Sequence, residues 1–374
     1  MRARCRREGL LSACQLASAA LPAREVKPIL RNFKAVAGDG RCTLMATDLE
    51  VGIRLDVQGL TIEEPGEAIL PAARLVAILR ETTDEELSIE ADQAACTVRG
   101  PNLEFEMPGE DPAQFPDWPT FAEDKYHEIS AGSLREMIRR TLFAVAPETG
   151  RYSMTGVLWD LDGETARLVG SDGYRLAIAQ GTATVQGGHT TKGQSPVVPT
   201  KAMSLLERNL QDDPEETVKV CIRPNDVLFR TGRAVVYSRL VEGRYPPYQQ
   251  ILPKKPALKA TIAAAPLLSA VRQAAVMVDA ETKRVAFRFG KHKLTLEAQG
   301  VNTGRSKVEL PVGYEGKAMN LGFNPEWLTQ MLKVVPPDAE LILDLIDPET
   351  PVLIHCGEDY SYLVVPTALG TAPA

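Results

Sequence analysis

At 374 residues the chain exceeds one ordinary domain, so two or three units are expected, each able to bury its own core. Hydrophobic residues make up 44% and charged residues 24%, the balance of a globular chain, and no apolar run reaches the roughly eighteen residues of a membrane-spanning helix. The net charge of −7 excludes a uniformly basic nucleic-acid binder, but not one whose basic side chains gather on one surface.

In chain order the first feature is basic: Arg2, Arg4, Arg6 and Arg7 precede an apolar stretch over 10–21, similar to the opening of a secretory signal. Glu8 and Gln15 interrupt it, while Leu10, Leu11, Cys14, Leu16 and Ala17 share one helical face, so the pattern predicts an amphipathic helix. Similar patterns begin at Gly132-Ser133-Leu134 and Pro266-Leu267-Leu268, with Leu10 to Leu134 spanning 124 residues and Leu134 to Leu267 spanning 133. Alternating strand residues follow at 43–48 and 167–172, their terminal Asp48 and Asp172 again 124 apart, with a weaker copy at 293–298. A short strand then enters a second helix beside Pro71, Pro199 or Asn324-Pro325. Those helices have one-sided apolar faces: Leu75, Ile78 and Leu79; Met203, Leu205 and Leu206; Trp327, Leu328, Met331 and Leu332. Strand pairs over 87–105, 218–237 and 341–365 close the units, the first two followed by Gln114-Phe115-Pro116 and Arg244-Tyr245-Pro246.

Three similar domains are therefore expected at 1–125, 126–254 and 255–374, with polar linkers near 123–127 and 254–259. Their class is α+β, with helices covering one face of antiparallel sheets. Tandem units joined edge to edge would hide otherwise open strands, even across a subunit boundary.

Enzyme signatures are missing. Residues 191–195 do not form a phosphate-binding loop, and Gly170-Ser171-Asp172-Gly173 lacks the first glycine of a nucleophile elbow. His127-Glu128 opens like a zinc-protease motif, yet Ala131 stands where its second histidine belongs. His127, His189, His292 and His355 are scattered and expected to be surface or structural; no metal or cofactor is expected. Asp48 and Asp172 could suggest an acid/base pair, but an aspartate at a strand-end turn more simply accepts bonds from its own backbone. Six scattered cysteines, Cys5, Cys14, Cys42, Cys96, Cys221 and Cys356, suit reduced thiols in the cytoplasm.

Together these phrases resemble the bacterial DNA polymerase III beta subunit family, the processivity sliding clamps, over essentially the whole chain. The resemblance rests on an ordered set: Arg24-Glu25-Val26-Lys27-Pro28-Ile29-Leu30, Ala46-Thr47-Asp48-Leu49-Glu50, Ser171-Asp172-Gly173-Tyr174-Arg175-Leu176, Glu242-Gly243-Arg244-Tyr245-Pro246-Pro247-Tyr248, Gly322-Phe323-Asn324 and Tyr362-Leu363-Val364-Val365-Pro366. It implies the DNA clamp fold: a head-to-tail homodimeric ring with helices lining a central hole and sheets outside. Such a ring catalyses nothing; it encircles duplex DNA and keeps a bound polymerase near the primer end. Its implied partners are double-stranded DNA, a second copy of the chain, the replicative polymerase alpha subunit, an ATP-dependent clamp loader and other clamp-binding peptides.

Basic residues on the expected inner helices, Arg74, Arg80, Arg135, Arg139, Lys201, Arg208 and Arg272, suit sequence-independent phosphate contacts. By resemblance, Arg24, Arg151, Tyr152 and Lys201 are the stronger DNA candidates. The resemblance also implies an apolar peptide cleft between the second and third domains, lined by Met154, Ser171, Gly173, Tyr174, Arg175, Leu176, Pro246, Ile251, Leu363, Val365, Pro366 and Thr367, with Arg175 as its polar handle. Phe105 and Met107 are placed against Val276 and Met277 at the dimer seam. The chain departs from the family pattern at Tyr174, where histidine is frequent, at Thr367-Ala368-Leu369, where Met-Arg-Leu is usual, and in the tail 370–374. The alternatives are a scaffold that has lost encirclement and an enzyme with a dispersed site.

Overall fold

One order of elements occurs three times: a strand entering a helix, three strands, a short strand entering a second helix, and three more strands, with one additional strand ahead of the short one in the first two units. The computed structural model describes every residue except 25–26, 148–152, 212, 254–257, 280–282, 301–303 and 370–374. The first unit comprises β1 (Arg2–Arg6), α1 (Arg7–Ser18), β2 (Phe33–Gly38), β3 (Arg41–Thr47), β4 (Val51–Asp56), β5 (Leu60–Glu64), β6 (Gly66–Leu70), α2 (Ala72–Glu81), β7 (Glu86–Ala91), β8 (Ala95–Gly100) and β9 (Leu103–Pro108). The second comprises β10 (Tyr126–Ser130), α3 (Ala131–Leu142), β11 (Gly156–Asp162), β12 (Thr165–Ser171), β13 (Arg175–Thr182), β14 (Thr184–Gln186), β15 (Val197–Pro199), α4 (Thr200–Asn209), β16 (Thr217–Ile222), β17 (Asp226–Arg230) and β18 (Ala234–Arg239). The third comprises β19 (Leu258–Ala263), α5 (Ala264–Ala275), β20 (Val285–Gly290), β21 (Lys293–Gly300), β22 (Gly304–Pro311), β23 (Met319–Phe323), α6 (Pro325–Leu332), β24 (Glu340–Leu345), β25 (Val352–Cys356) and β26 (Tyr360–Val364).

Helices start where the sequence offers a cap. Ser130 accepts from the Ser133 amide at α3, Asn324 accepts from the Glu326 amide (2.9 Å) at α6, and Pro71 and Pro199 immediately precede α2 and α4. Residues at helical spacing then face inward, such as Leu10, Cys14 and Ala17 on α1 and Leu267, Val271 and Ala274 on α5.

Two expectations need correction, and one strand carries no signal in the sequence. Arg2, Arg4 and Arg6 precede the helix on β1, a strand between β5 and β7, where they alternate with buried Ala3 and Cys5. Arg2 pairs with Glu63 (3.0 Å) and Glu64 (2.8 Å), and Arg4 with Glu63 (2.6 Å). The stretches at 123–127 and 254–259 run into strands: His127 lies fully buried on β10, and Leu258 opens β19. The closing strand pairs are three-stranded meanders.

His127 and His189, 62 residues apart, meet inside the second unit with their Nδ1 atoms 2.7 Å apart. The Ile222 amide donates to His189 Nε2 (3.1 Å), so His189 Nδ1 carries the proton shared with His127, whose Nε2 donates to the Gly163 carbonyl (3.1 Å). This chain of bonds ties β10, the β11–β12 turn and the end of β16 together.

Two sheets cross the unit boundaries. β18 pairs antiparallel with β4, Val236 opposite Ile53, in a nine-stranded sheet ordered β14-β10-β16-β17-β18-β4-β3-β2-β6. β13 pairs antiparallel with β26, Leu176 opposite Leu363, in an eight-stranded sheet ordered β15-β11-β12-β13-β26-β25-β24-β19. The remaining sheets, β5-β1-β7-β8-β9 and β22-β21-β20-β23, end on β9 and β22. Helices pack in pairs within each unit, and α1 also meets α4 across the first boundary. On β9, Phe105 is 42% exposed but Met107 is only 3% exposed, opposite buried Cys96. Met107 therefore supports the edge strand from its own unit's core.

Candidate partner cleft and nucleic-acid surface

The β3–β4 and β12–β13 turns have one construction. Thr47 Oγ1 donates to Val51 O (2.8 Å) and accepts from Leu49 N (3.0 Å); Ser171 Oγ donates to Arg175 O (2.8 Å) and accepts from Gly173 N (3.2 Å). Asp48 Oδ1 accepts from Glu50 N and Val51 N, as Asp172 Oδ1 accepts from Tyr174 N and Arg175 N. The next residue takes a positive φ in both turns, 80° at Leu49 and 91° at Gly173. Each aspartate keeps its second oxygen for a cation: Lys201 beside Asp48 (2.6 Å) and Arg175 beside Asp172 (2.9 Å). The repeated aspartates thus serve turn geometry and charge pairing, not acid/base chemistry.

At the β13–β26 seam, Tyr174 O accepts from Val365 N (2.9 Å) and Gly322 O accepts from Thr367 N (2.8 Å), which fastens the segment after β26 between the second turn and β23. Beneath lies an apolar cluster containing Leu158, Val169, Leu176, Tyr245, Tyr248 and Leu363, with half-buried Met154 and Leu252 against it. Pro246 and the 54% exposed Ile251 flank Tyr248. The expected cleft residues thus divide into buried floor, Ser171, Leu176 and Leu363, and accessible wall, Met154, Gly173, Tyr174, Pro246, Ile251, Val365, Pro366 and Thr367.

Arg175 is not a free polar handle. It is buried, bonded to Asp172, to the Phe143 carbonyl (2.9 Å) and to Gln330, with its guanidinium over the rings of Phe143 and Trp327. Sequence reading missed Trp327, treating it as part of the apolar face of α6. Half-buried against the core, its ring also stacks on Tyr174, centroids 5.7 Å apart and planes 21° apart, and Tyr174 is 61% exposed. The signal was its place at the rim of the Leu328, Met331 and Leu332 stripe.

On the helices, Arg74, Arg80, Arg139, Arg208 and Arg272 are exposed, while Arg135 donates to the Leu210 carbonyl. Among the described residues six α-helices carry nine Arg and Lys against five Glu, although the chain's net charge is −7. Exposed Arg24 and half-buried Lys201 line a groove of about 1840 Å³ between the first and second units, together with Arg239 and Arg244. Lys201 is already committed: it donates to Ala20 O (3.3 Å) and Leu21 O (2.8 Å) as well as to Asp48. Arg151 and Tyr152 lie outside the described residues.

His355 sits between Asp344 (3.0 Å) and Ser361 (3.2 Å) on the three adjacent strands β24 to β26, a cross-strand polar row. Among the described residues no group of three or more His, Cys, Asp or Glu side chains could hold a metal ion.

Three family models match in chain order: the DNA polymerase III beta subunit N-terminal domain over residues 1–119, its central domain over 128–247 and its C-terminal domain over 249–368. The chain belongs to the DNA polymerase III beta subunit family. It is 29% identical over 369 residues to the beta sliding clamp of Pseudomonas putida, covering 97% of this chain and 98% of the relative. It is 27% identical over 366 residues to that of Escherichia coli, with the same coverage. The crystal structure of the sliding clamp from Pseudomonas aeruginosa bound to griselimycin superposes with a TM-score of 0.91 at 26% identity, covering 99% of this chain and 100% of that one. The beta subunit family is a non-catalytic processivity factor, and the three tandem units here have its clamp fold.

Proposed function

We propose that two copies of this chain close head to tail around duplex DNA and tether the replicative polymerase alpha subunit and other clamp-binding proteins in the cytoplasm, after placement by an ATP-dependent loader. The observation that carries this reading is the continuation of sheets through both internal unit boundaries, a mode of joining that a second copy can repeat at a free sheet edge such as β9 or β22. Six helices with an excess of arginine would then face the hole, where Arg24, Arg74, Arg80, Arg139, Arg208 and Arg272 bind phosphates through charge alone, so the ring can slide. The sequence division at 1–125, 126–254 and 255–374 is retained as the proposed domain plan, because each part opens with a strand entering a helix.

The proposed partner site is the seam between the second and third units. Exposed apolar side chains over a buried apolar floor suit a short peptide with hydrophobic anchors. Retention on DNA tests the proposal: loaded protein should stay on a nicked circle and leave when the circle is linearised. Equal loss from both forms would overturn encirclement, since an ordinary DNA binder is indifferent to topology.

A further inference from the structure

Four arginines come together on the nine-stranded sheet where the first two units join. Strand register sets Arg54 on β4 opposite Val235 on β18, and Val235 opposite Arg230 on β17. Arg41 shares a face of β3 with Thr43, which lies opposite Asp56, two residues beyond Arg54 on β4. Arg233 occupies the β17–β18 turn, where its carbonyl accepts from the Asp56 amide (2.9 Å). The residues that alternate with these, Leu44, Leu55 and Ala234, point into the helix-covered core, so the arginines stand on the opposite face of the sheet. With Phe121, from the segment between β9 and β10, they line a cavity of about 390 Å³, within the roughly 300–1,000 Å³ usual for small-molecule sites. We infer that this cavity binds the polyphosphate group of a small molecule such as a nucleoside diphosphate.

Charge selects that ligand class. Asp56 is the one acid lining the cavity and Asp117 reaches Arg54 from its edge, so four positive charges meet two negative ones. Asp56 Oδ1 is already taken by the Thr43 hydroxyl (2.9 Å). Arg41 and Arg230, both exposed, have no hydrogen-bond or ion-pair partner for their side chains among the described residues. The other two arginines are held before any ligand arrives. Arg54 donates to the Trp118 carbonyl (2.9 Å), pairs with Asp117 and lies over the Trp118 ring, 5.0 Å from its centroid, while Arg233 donates to the Asn209 carbonyl (3.3 Å). Burial lowers the pKa of Arg233, with the charge of Glu216 working against the shift, so an anion beside it offsets part of the cost of burying that cation.

Guanidinium forks match phosphate oxygens bidentately. The backbones at Arg54 and Arg230 stand two strand spacings apart, about 10 Å, a span that linked phosphates fill better than a single ion. Half-buried Phe121 supplies an aromatic wall for a base. Duplex phosphates fit poorly, because the cavity lies on the face away from the helices and so outside the proposed hole. The site is complete within one chain, and its ligand binds whether or not a ring closes. Since Arg41 and Arg54 belong to the first unit and Arg230 and Arg233 to the second, a bound polyphosphate braces the joint between them.

Titration calorimetry on the full chain at about 0.15 M salt tests the assignment, with adenosine diphosphate, pyrophosphate, inorganic phosphate and adenosine as probes. Adenosine diphosphate should bind once per chain, about tenfold or more tightly than phosphate, and adenosine should not bind. Pyrophosphate binding equal to that of adenosine diphosphate would assign recognition to the phosphates alone; tighter binding of the nucleotide would add Phe121 to the site. The double variant Arg41→Gln, Arg230→Gln changes only exposed side chains; with folding checked by circular dichroism, it should weaken adenosine diphosphate about tenfold or more and keep wild-type retention on nicked circular DNA. Asp56→Asn, which keeps an acceptor for Thr43 but removes the opposing charge, should tighten binding about threefold. The assignment is overturned by an absence of saturable binding of adenosine diphosphate and pyrophosphate, by binding unchanged in the double variant, or by a polyglutamate peptide or single-stranded oligonucleotide that binds these residues more tightly than the diphosphates. Loss of DNA retention in the double variant would overturn it too, by moving the arginines to the DNA path.

Discussion

Lys201 separates two roles that a basic residue near a DNA surface can have. Its ammonium group donates to the Ala20 and Leu21 carbonyls beyond α1 and pairs with Asp48 at 2.6 Å, and the two side chains are only 34% and 19% exposed. Lys201→Met would strand three acceptors. Charge-assisted bonds contribute about 1.5–3 kcal/mol when desolvated, and solvent access here reduces that, so we expect a loss of about 2 kcal/mol in urea unfolding. Asp48→Asn should cost a similar amount, and the double variant should lose far less than the sum, because each single change already breaks the shared pair. A phosphate contact predicts something else: unchanged unfolding, with the slope of log K against log salt reduced by about 0.9. We expect Lys201→Met to leave that slope unchanged on primed DNA, whereas Arg24→Ala reduces it. A wild-type unfolding midpoint for Lys201→Met, together with a slope lowered by about 0.9, would refute the assignment of Lys201 to the joint between units.

Leu49 holds a φ of 80° that its counterpart Gly173 adopts freely, so Leu49→Gly should raise stability by about 0.5–1 kcal/mol in urea melts. Burial and the neighbouring His189 lower the pKa of His127 below 6.5, so its neutral form belongs to the fold; this stability is present above pH 6.5 and declines on acidification towards the depressed value, by at most about 1.4 kcal/mol per pH unit. A melting temperature flat between pH 7 and 5 in a protein whose other titrations are accounted for would contradict that. Met277→Asp beside exposed Val276 should shift light-scattering mass towards the monomer, whereas an unchanged dimer would remove the end of α5 from the seam. Trp327→Ala removes the ring stacked on Tyr174 and should weaken a bound apolar peptide about tenfold to a hundredfold while sparing retention on circular DNA.

The repeat was legible because hydrophobic periodicity and turn chemistry are local: the aspartate turns, the proline helix starts and the apolar helix faces all follow from neighbouring residues. Strand β1 was hidden because five residues of alternating Arg and small side chains carry little apolar signal; its place is set by pairing with β5 and β7, both distant in sequence. The meeting of His127 with His189 and the stack of Tyr174 on Trp327 were illegible for the same reason, since sheet register and not spacing brings them together. Resemblance proposed a cleft wall and a set of cations by position, without the bonds those cations make. It transfers positions, while the geometry adds that Arg175 and Lys201 are bonded within their own fold.

The two internal seams explain why one chain needs so little acidic or basic excess to serve as a ring. Each seam extends a sheet by a full antiparallel strand pair, so the backbone bonds that hold unit to unit are indifferent to salt and to side-chain charge. Charge is then free to be distributed by task. The helices hold nine cations against five anions while the rest of the chain is acidic, a separation that repels the outer surface from DNA and leaves attraction to the helical layer. At β9 and β22 the same sheet extension would have to occur between copies, reversibly, because a closed ring must open to admit duplex.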